Sequence, residues 1–289
     1  MNPWILAARL RTLGAAAVPV AAGAALAFSQ GGFDPTTTLL VLACAVLIQV
    51  ATNYFNDAID HSKGADTALR LGPTRVTSSG LIPERRVMLA AVFCLALSAL
   101  LAIPLVLRGG WPIFVLGAIS LFLAYAYTGG PFPLAYLGLG EIFVVFFFGF
   151  FAVAGTFYLN TLGVSAAAML AGLQIGLHSS VLLAVNNLRD LETDRVANKR
   201  TLAARFGLAF ARCENAALIM TPFILGILWL PLGLLWAFLV PLISLPLAWR
   251  LARTCLAATP DRAANQLLVQ AAALHAVFGL LLAIGFLLP

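Results

Sequence analysis

Nine continuous apolar runs, each close to the ~20 residues that an α-helix needs to cross a bilayer, constrain what this 289-residue chain can fold into. They lie at 12–29, 37–56, 87–107, 111–128, 138–160, 164–187, 211–230, 232–250 and 265–288. Only 10% of the residues are charged, against about 25% in soluble domains. Because the runs are continuous rather than alternating, they exclude a β-barrel. The pattern predicts one all-α polytopic membrane domain over residues 1–289, with nine transmembrane helices around a central cavity.

The basic residues segregate to one side of this topology. Of the 17 Lys and Arg residues, only Arg108 falls on the other side. Basic connectors are retained in the cytoplasm, so we expect a cytoplasmic N-terminus and an external C-terminus in the inner or cytoplasmic membrane. Arg9 and Arg11 precede a segment that is simply the first span, and no cleavable signal is predicted. The net charge of +6 is explained by basic residues that anchor the helices at the cytoplasmic face. It therefore does not indicate nucleic-acid binding.

A polar stretch at 53–66 ends the second apolar run. Its acidic and amide side chains are Asn53, Asn56, Asp57, Asp60 and Asp66. All but Asp66 recur at i, i+3/i+4 and i+7, so a helix presents them on one face. Ionisable side chains at the end of a membrane helix are costly unless they are paired, hydrated or bound to a cation. The stretch therefore indicates a functional site.

A second polar stretch, at 186–202, follows the sixth apolar run and repeats this arrangement. Asn186, Asp190 and Asp194 fall at i, i+4 and i+8, again on one helix face. Both stretches open on the side that we predict to be cytoplasmic. Two such helix ends can hold divalent cations against a diphosphate.

Basic residues accompany both sets of carboxylates. They are Lys63, Arg70 and Arg75 in the first stretch and Arg189, Arg195, Lys199 and Arg200 in the second. Carboxylates alone predict a cation site, and basic residues alone predict a lipid-headgroup anchor. Their mixture favours Mg²⁺ bound to a diphosphate whose remaining oxygens contact Lys and Arg. Solvated loops with ordinary salt bridges explain one such stretch equally well, but they explain two matched stretches on one side less well.

These motifs resemble those of the UbiA superfamily of intramembrane aromatic prenyltransferases, which have nine helices and two Asp-rich motifs after helices two and six. The first match is Asn56-Asp57-x-x-Asp60, followed by Arg75 and Ser79-Gly80. The second is Asn186-Asn187-x-Arg189-Asp190-x-x-x-Asp194-Arg195, followed by Lys199-x-Thr201-Leu202. Tyr127-Thr128-Gly129 and Gly138-Leu139-Gly140-Glu141 fit the branch that uses 1,4-dihydroxy-2-naphthoate. Leu10 stands where a proline is common, and Ala197-Asn198 where Asn-Gly often precedes the lysine.

The resemblance implies Mg²⁺-dependent transfer of a polyprenyl group from polyprenyl diphosphate to 1,4-dihydroxy-2-naphthoate. The reaction would release CO2 and diphosphate and give demethylmenaquinone. It implies that the metal is held by Asn53, Asp57, Asp60, Asp190 and Asp194, of which the four aspartates form the catalytic set. It assigns the diphosphate oxygens to Lys63, Arg75, Arg189, Lys199 and Arg200. It assigns substrate contacts to Asn56, Asp66, Asn186, Asn187, Tyr127, Glu141 and Arg11.

The fifth apolar run is dense in phenylalanine over 143–159. An isoprenoid tail needs an apolar tunnel, and an allylic cation needs aromatic faces and exclusion of water. For any individual Phe, contact with lipid or packing within the bundle is the favoured explanation. Glu141, at the start of this run, is either an aromatic-substrate contact or a hydrated helix start.

Two other classes of protein stay open on the sequence. An ion-coupled transporter would carry its carboxylates near the bilayer midplane, whereas here they cluster at one side. A lipid-linked phosphotransferase would carry a denser Asp/Gly motif on fewer spans. Within the prenyltransferases, 4-hydroxybenzoate and homogentisate are alternative acceptors. We expect structural roles for the intramembrane His178 and His275 and for the four scattered cysteines.

Overall fold

The computed structural model describes residues 2–64, 71–72, 74–131 and 133–289, without the side chains of Arg11 and Ala135. Most of these residues are helical, and no strand occurs among them. The α-helices are α1 (Pro3–Ala8), α2 (Leu10–Ser29), α3 (Pro35–Ser62), α4 (Glu84–Gly109), α5 (Trp111–Ala126), α6 (Leu134–Leu137), α7 (Gly140–Val144), α8 (Gly155–Thr161), α9 (Ala166–Arg189), α10 (Leu191–Val196), α11 (Leu202–Leu225), α12 (Leu235–Leu239), α13 (Leu245–Leu256) and α14 (Ala264–Leu287). A π-helix (Val145–Ala154) joins α7 to α8, and 3-10 turns at Gly226–Trp229 and Val240–Ser244 flank α12.

Eight of these helical segments are long and apolar enough to cross a membrane, within the part of the chain that the structure describes. The remaining predicted span corresponds to α5, which has 16 residues and is therefore only ~24 Å long. Gly110, at φ +71°, precedes α5, and Pro112 lies in its first turn. The prediction of an all-helical membrane bundle is confirmed, with one helix shorter than the bilayer core.

Helix α3 is longer than the second apolar run. It begins at Asp34, whose carboxylate accepts hydrogen bonds from the amides of Thr36 and Thr37, with Pro35 at the first helical position. Both features favour a helix start. The helix continues to Ser62, so Asp57 and Asp60 project from a helix rather than from a loop. We call the end of the bundle where α3 and α9 finish the motif end.

Helix α9 lies at the centre of the bundle, and polar side chains fix it to α11. Gln174 donates to the carbonyl of Pro222 at 2.7 Å and accepts from the indole of Trp229 at 2.9 Å. A ring nitrogen of His178 lies 3.1 Å from the carbonyl oxygen of Ile219. These are buried hydrogen bonds between helices, so the structural role expected for His178 is confirmed.

Glycines let the π-helix approach α9 closely. A Cβ built on Gly149 would lie 2.3 Å from the carbonyl oxygen of Gly172 and 3.0 Å from the Cα of Gly176. No side chain can occupy that space. π-Helical segments are frequent at functional sites.

A polar cluster closes the end opposite the motif end. The Arg108 guanidinium donates to the carbonyls of Leu159 and Asn160 at 2.6 and 3.1 Å, and it lies 3.6 Å from the Asp34 carboxylate. The Asn160 side-chain oxygen accepts from the Asp34 amide at 2.8 Å and from the Thr38 hydroxyl at 3.2 Å. The single basic residue predicted on that side therefore joins α4 to the end of α8 and to the start of α3.

Candidate active site

A cavity of about 990 Å³ opens between α2, α3, α5, the π-helix and α9. Polar side chains from both motifs line its upper part, at the motif end. Its deeper wall is apolar and includes Leu105, Ile113 and Leu159, below which lies the Arg108 cluster. The cavity thus combines a charged mouth with an apolar interior, which suits an amphipathic ligand.

The first-motif carboxylates hold a segment that lies further along the chain, at 75–77. The two oxygens of Asp57 accept from the backbone amides of Val76 and Thr77 at 3.2 and 2.9 Å. Asp60 accepts from Arg75 Nη2 at 2.8 Å. Asp57, Asp60 and Arg75 are at most 5% exposed, yet all three line the cavity. A carboxylate has about four acceptor positions, so both aspartates keep capacity towards the cavity.

The second motif is built around a forked ion pair. Arg189 Nε and Nη2 donate to the two oxygens of Asp190 at 2.8 and 2.5 Å, while Nη1 donates to the side-chain oxygen of Asn265 at 2.9 Å. Asn265 also donates to the backbone carbonyl of Leu71 at 3.0 Å. Such a bidentate pair fixes the plane of the carboxylate. Helix α14 therefore takes part in orienting Asp190, although the last apolar run carries no acidic motif.

Two lysines from different motifs converge on one aromatic ring. Lys63 and Lys199 Nζ lie 4.8 and 4.9 Å from the centroid of the Tyr136 ring, which is cation–π distance. Lys199 Nζ also lies 3.8 Å from Asp60 Oδ1, and the Tyr136 hydroxyl lies 3.4 Å from the same oxygen. Lys63 donates to the carbonyl of Thr128 at 2.7 Å. Burial lowers the pKa of the Lys63 ammonium, and the neighbouring Asp60 opposes this effect.

The amide side chains of the motifs position neighbouring segments. Asn53 donates to the carbonyl of Ala8 at 2.8 Å and to the hydroxyl of Thr12 at 2.9 Å, so it joins α3 to the turn between α1 and α2. Asn56 accepts a hydrogen bond from the Thr128 hydroxyl. Asn186 donates to the carbonyl of Leu182 in its own helix at 2.8 Å. All three residues line the cavity.

Asn187 makes a different contact, with the carboxylate of Glu141. Its amide donates to Glu141 Oε1 at 2.6 Å, and the Ser180 hydroxyl donates to the Glu141 backbone carbonyl at 2.9 Å. Glu141 is 6% exposed and lines the cavity. The start of α7 is thereby fastened to the middle of α9.

Phenylalanines form one wall of the cavity below these polar groups. The rings of Phe143 and Phe147 are stacked with centroids 6.1 Å apart, and Phe147 and Phe151 meet edge to face at 4.9 Å. All three line the cavity, as does Phe148. Part of this run therefore lines the cavity, and its contact with an isoprenoid tail stays a prediction.

The donor set fits a divalent cation that is bound together with a diphosphate. No group of three His, Cys, Asp or Glu side chains poised to hold an ion occurs among the described residues. Mg²⁺ characteristically takes one or two carboxylates together with water and substrate phosphates, rather than an all-protein cage. Burial raises the pKa of the Asp194 carboxyl to about 7, and Lys199 opposes the shift. A cation beside Asp194 would favour its ionised form.

Most of the predicted site residues meet at this cavity. Those on its wall are Asn53, Asn56, Asp57, Asp60, Arg75, Tyr127, Glu141, Asn186, Asn187, Arg189, Asp190, Asp194 and Lys199. Lys63 is not on the wall and lies against the Tyr136 ring. The Arg200 side chain is exposed, and its backbone amide donates to the Tyr136 carbonyl at 3.0 Å. Asp66 and the side chain of Arg11 lie outside the described residues.

The sequence-based assignment missed Asn265, which holds Arg189, and it left the role of Tyr136, which contacts both lysines, undecided. A polar residue at the start of an otherwise apolar last span was the available signal for Asn265. For Tyr136, as for Tyr125 and Tyr127, a role in the site and interfacial anchoring are equally compatible with the sequence.

Comparison with known proteins agrees with this geometry. A model of the UbiA prenyltransferase family matches residues 16–274. A 1,4-dihydroxy-2-naphthoate octaprenyltransferase from Mycobacterium tuberculosis is 39% identical over 86% of this chain and 84% of its own length. One of the same name from Escherichia coli (strain K12) is 37% identical over 75% of this chain and 72% of its own length.

The fold is that of solved UbiA structures. A UbiA homolog from Archaeoglobus fulgidus, bound to GPP and Mg²⁺, superposes with a TM-score of 0.67 at 16% identity, covering 99% of this chain and 100% of the homolog. Fold and site together define an integral membrane transferase with a carboxylate-lined cavity. The chain belongs to the UbiA prenyltransferase family and is a prenyltransferase.

Proposed function

We propose that this enzyme transfers a polyprenyl group from polyprenyl diphosphate to 1,4-dihydroxy-2-naphthoate in a Mg²⁺-dependent reaction. The products are a prenylated naphthalenoid of the demethylmenaquinone type, CO2 and diphosphate. The observation that carries the proposal is the juxtaposition of the two carboxylate motifs, with Lys199 and Arg189 among them, at the mouth of one Phe-lined cavity. The two naphthoate-specific relatives, at 37 and 39% identity, support this acceptor.

The motif residues divide by the chemistry of their side chains. The residues that we propose for the metal are Asp57, Asp60, Asp190 and Asp194, with Asn53 nearby. Arg75, Arg189 and Lys199 lie at the cavity wall, where they can bind diphosphate oxygens. Lys63 and Arg200 act from outside that wall, Lys63 through Tyr136 and Arg200 at the rim. Asp66 and Arg11 stay among the proposed substrate contacts on the motif match alone.

Leaving-group stabilisation supplies the catalysis. Bound Mg²⁺ neutralises the diphosphate and so favours heterolysis of the bond between oxygen and the allylic carbon. The arginine and lysine side chains supply preorganised positive charge to the departing oxygens. The Phe143–Phe147–Phe151 wall excludes water and offers aromatic faces to the allylic cation. The electron-rich ring then attacks the cation, and loss of CO2 restores its aromaticity.

The sidedness of the enzyme follows from its basic residues. We place the motif end on the cytoplasmic side, from which both ionic substrates enter the cavity, and the C-terminus on the outer side. An alkaline phosphatase fused after Pro289 should therefore be active in intact cells, and inactivity of a stable fusion would reverse this orientation.

The first test is an assay in nanodiscs with geranylgeranyl diphosphate. 1,4-Dihydroxy-2-naphthoate with a labelled carboxyl group and 4-hydroxybenzoate are offered side by side, with and without Mg²⁺. The proteins are wild type, Asp190→Ala and, as a control, Glu84→Ala, which removes an acidic side chain that does not line the cavity.

The outcomes of this assay test the reaction, the acceptor and the role of Mg²⁺ separately. A prenylated naphthalenoid with labelled CO2, abolished by a chelator and by Asp190→Ala but not by Glu84→Ala, supports the proposal. Product from hydroxybenzoate alone keeps the enzyme class and overturns the acceptor. Equal activity after exhaustive chelation overturns the role given to Mg²⁺.

A further inference from the structure

Glu141 is the one acidic cavity-lining residue outside the two polar stretches, within the part of the chain that the structure describes. The others are Asp57, Asp60, Asp190 and Asp194. The mechanism above uses all four of those carboxylates and leaves Glu141 without a task. A carboxylate inside the membrane region is costly to keep unless it has a partner or a function.

The structure holds Glu141 by both its backbone and its side chain. The Ser180 hydroxyl donates to its carbonyl at 2.9 Å, and the Asn187 amide donates to Oε1 at 2.6 Å. The adjacent Gly140 has no room for a side chain, since a Cβ there would lie 2.8 Å from Leu183 and 3.3 Å from the Tyr127 hydroxyl. The carboxylate is therefore set at a defined position on the wall, beside Tyr127.

That position is one helical turn from the second motif. Asn187 precedes Asp190 by three residues on α9, which is ~5 Å along the helix axis. Glu141 therefore lies about one turn of α9 deeper than Asp190, below the position that we propose for the diphosphate. A carboxylate at this level repels the diphosphate and attracts a hydrogen-bond donor. The aromatic acceptor is the substrate that carries such donors, namely its ring hydroxyls.

We propose that Glu141 accepts a hydrogen bond from a ring hydroxyl of the aromatic acceptor, with Asn187 as its positioning residue. The inference rests on the proposed function and adds the group that recognises the acceptor. Asn187 uses one acceptor position of Oε1, and a carboxylate offers about four.

The contact strengthens as the reaction proceeds. When the C–O bond of the prenyl diphosphate breaks, its electron pair leaves with the diphosphate, and a π pair of the ring forms the new C–C bond. The ring becomes cationic, and its hydroxyl oxygen shares that charge. An acceptor facing the hydroxyl stabilises this state more than the ground state. The electron pair of the bond to the carboxyl group then returns to the ring as CO2 leaves, and the hydroxyl keeps its proton.

The test separates this role from a merely structural one. Glu141→Gln keeps the shape and an oxygen that can accept from Asn187, but it removes the charge. Asn187→Leu removes the positioning contact at similar volume. Glu192→Gln is the matched control, because the Glu192 side chain is 67% exposed on α10. For each variant, kcat and the KM of both substrates are measured in nanodiscs. Binding of geranylgeranyl thiolodiphosphate with Mg²⁺ is followed by its protection against thermal unfolding.

Glu141→Gln should lower kcat/KM for the acceptor about 10- to 100-fold, the range for a hydrogen bond to a charged group. The KM of the prenyl diphosphate and the thermal protection by its analogue should change less than about twofold. Asn187→Leu should show the same pattern more weakly. An equal loss in both substrates, or in the thermal protection, would mean that Glu141 only supports the fold, and it would overturn the inference.

The acceptor itself provides a second readout. 1-Hydroxy-2-naphthoate and 4-hydroxy-2-naphthoate each lack one ring hydroxyl. With the wild-type enzyme, the analogue that lacks the hydroxyl contacting Glu141 should lower kcat/KM by about the same factor as Glu141→Gln does. With the Glu141→Gln variant, the same analogue should lower kcat/KM little further, because the effects of two groups in contact are non-additive. Fully additive losses for both analogues would contradict the contact. If only 4-hydroxybenzoate is prenylated and Glu141→Gln impairs that reaction, the naphthoate proposal fails while this inference stands.

Discussion

Lys199 Nζ lies 3.8 Å from Asp60 Oδ1, so a basic side chain of the second polar stretch meets a carboxylate of the first. The other oxygen of Asp60 accepts from Arg75 at 2.8 Å. The Lys199 side chain is 18% exposed, whereas that of Asp60 is 6% exposed. Lys199 is therefore the more accessible partner of this ion pair. We expect it to leave the Asp60 carboxylate and to bind a phosphate oxygen of the substrate instead.

Lys199→Met should impair binding and departure of the diphosphate. Removing one preorganised charge at a leaving group costs on the order of 100-fold in rate, so we expect kcat/KM for the prenyl diphosphate to fall by about that factor. Lys199→Arg should recover part of the loss, because the charge returns with a different geometry. Steady-state assays in nanodiscs measure both. Arg253→Met, at an exposed position of α13, is the control, and a similar loss there would contradict a specific role for Lys199.

Arg189→Lys should misplace the Asp190 carboxylate. Lysine cannot reproduce the two bonds to Asp190 together with the bond to Asn265, because it lacks the planar fork. We expect activity to fall about 10- to 100-fold, the range seen when a partner that orients a metal ligand is lost. The Mg²⁺ concentration for half-maximal activity should rise. Unchanged Mg²⁺ dependence would show that Arg189 does not orient Asp190 for metal binding.

Asn265→Leu should have a smaller effect in the same direction. It removes the third Arg189 contact and frees the carbonyl of Leu71, but it leaves the forked pair with Asp190 intact. A loss of about tenfold or less is expected, in line with an outer-shell partner. The measurement is the Mg²⁺ titration used for Arg189→Lys. A loss larger than that of Arg189→Lys would mean that Asn265 acts on substrate directly.

Gly149→Ala should destabilise the bundle. Its Cβ would lie 2.3 Å from the Gly172 carbonyl oxygen, so the π-helix and α9 would have to separate. Overpacking of this kind costs about 1–3 kcal/mol, and the apparent Tm in detergent should fall. Gly155→Ala is the matched control on the same segment, because nothing lies within 4 Å of its added Cβ. Equal Tm values for the two variants would contradict the close approach.

Asn160→Leu should loosen the end opposite the motif end. The amide of Asp34 and the hydroxyl of Thr38 would lose their acceptor, and each unsatisfied buried group costs about 1–3 kcal/mol. Asn160→Asp keeps an acceptor oxygen and should be less destabilised. Thermal unfolding in nanodiscs ranks the two variants. The Asn160 amide nitrogen also donates to the Thr156 carbonyl at 2.9 Å. The opposite ranking would show that this donated bond contributes more to stability than the bonds that Asn160 accepts.

The sequence by itself determined the membrane class and the two polar stretches that carry the carboxylates, and it determined the number of spans only approximately. Apolar run length and i, i+4 spacing report these properties, because they depend on residues that are neighbours along one helix. Asp57 and Asp60 on α3 could therefore be paired without a structure, whereas the single helix face predicted for Asn186, Asp190 and Asp194 is interrupted, because α9 ends at Arg189 and Asp194 lies on α10.

Only the tertiary structure decided which side chains from different helices meet. Arg200 carries the same charge as Lys199, yet its side chain is exposed while Lys199 lines the cavity. Asn265 and Tyr136 join the site across long sequence separations. Glu141, which the sequence left as either a substrate contact or a hydrated helix start, is buried against Asn187. Helix periodicity gives the face of each residue, but the packing of the helices decides what that face contacts, and here it assembles one cavity from polar groups that lie far apart in the chain.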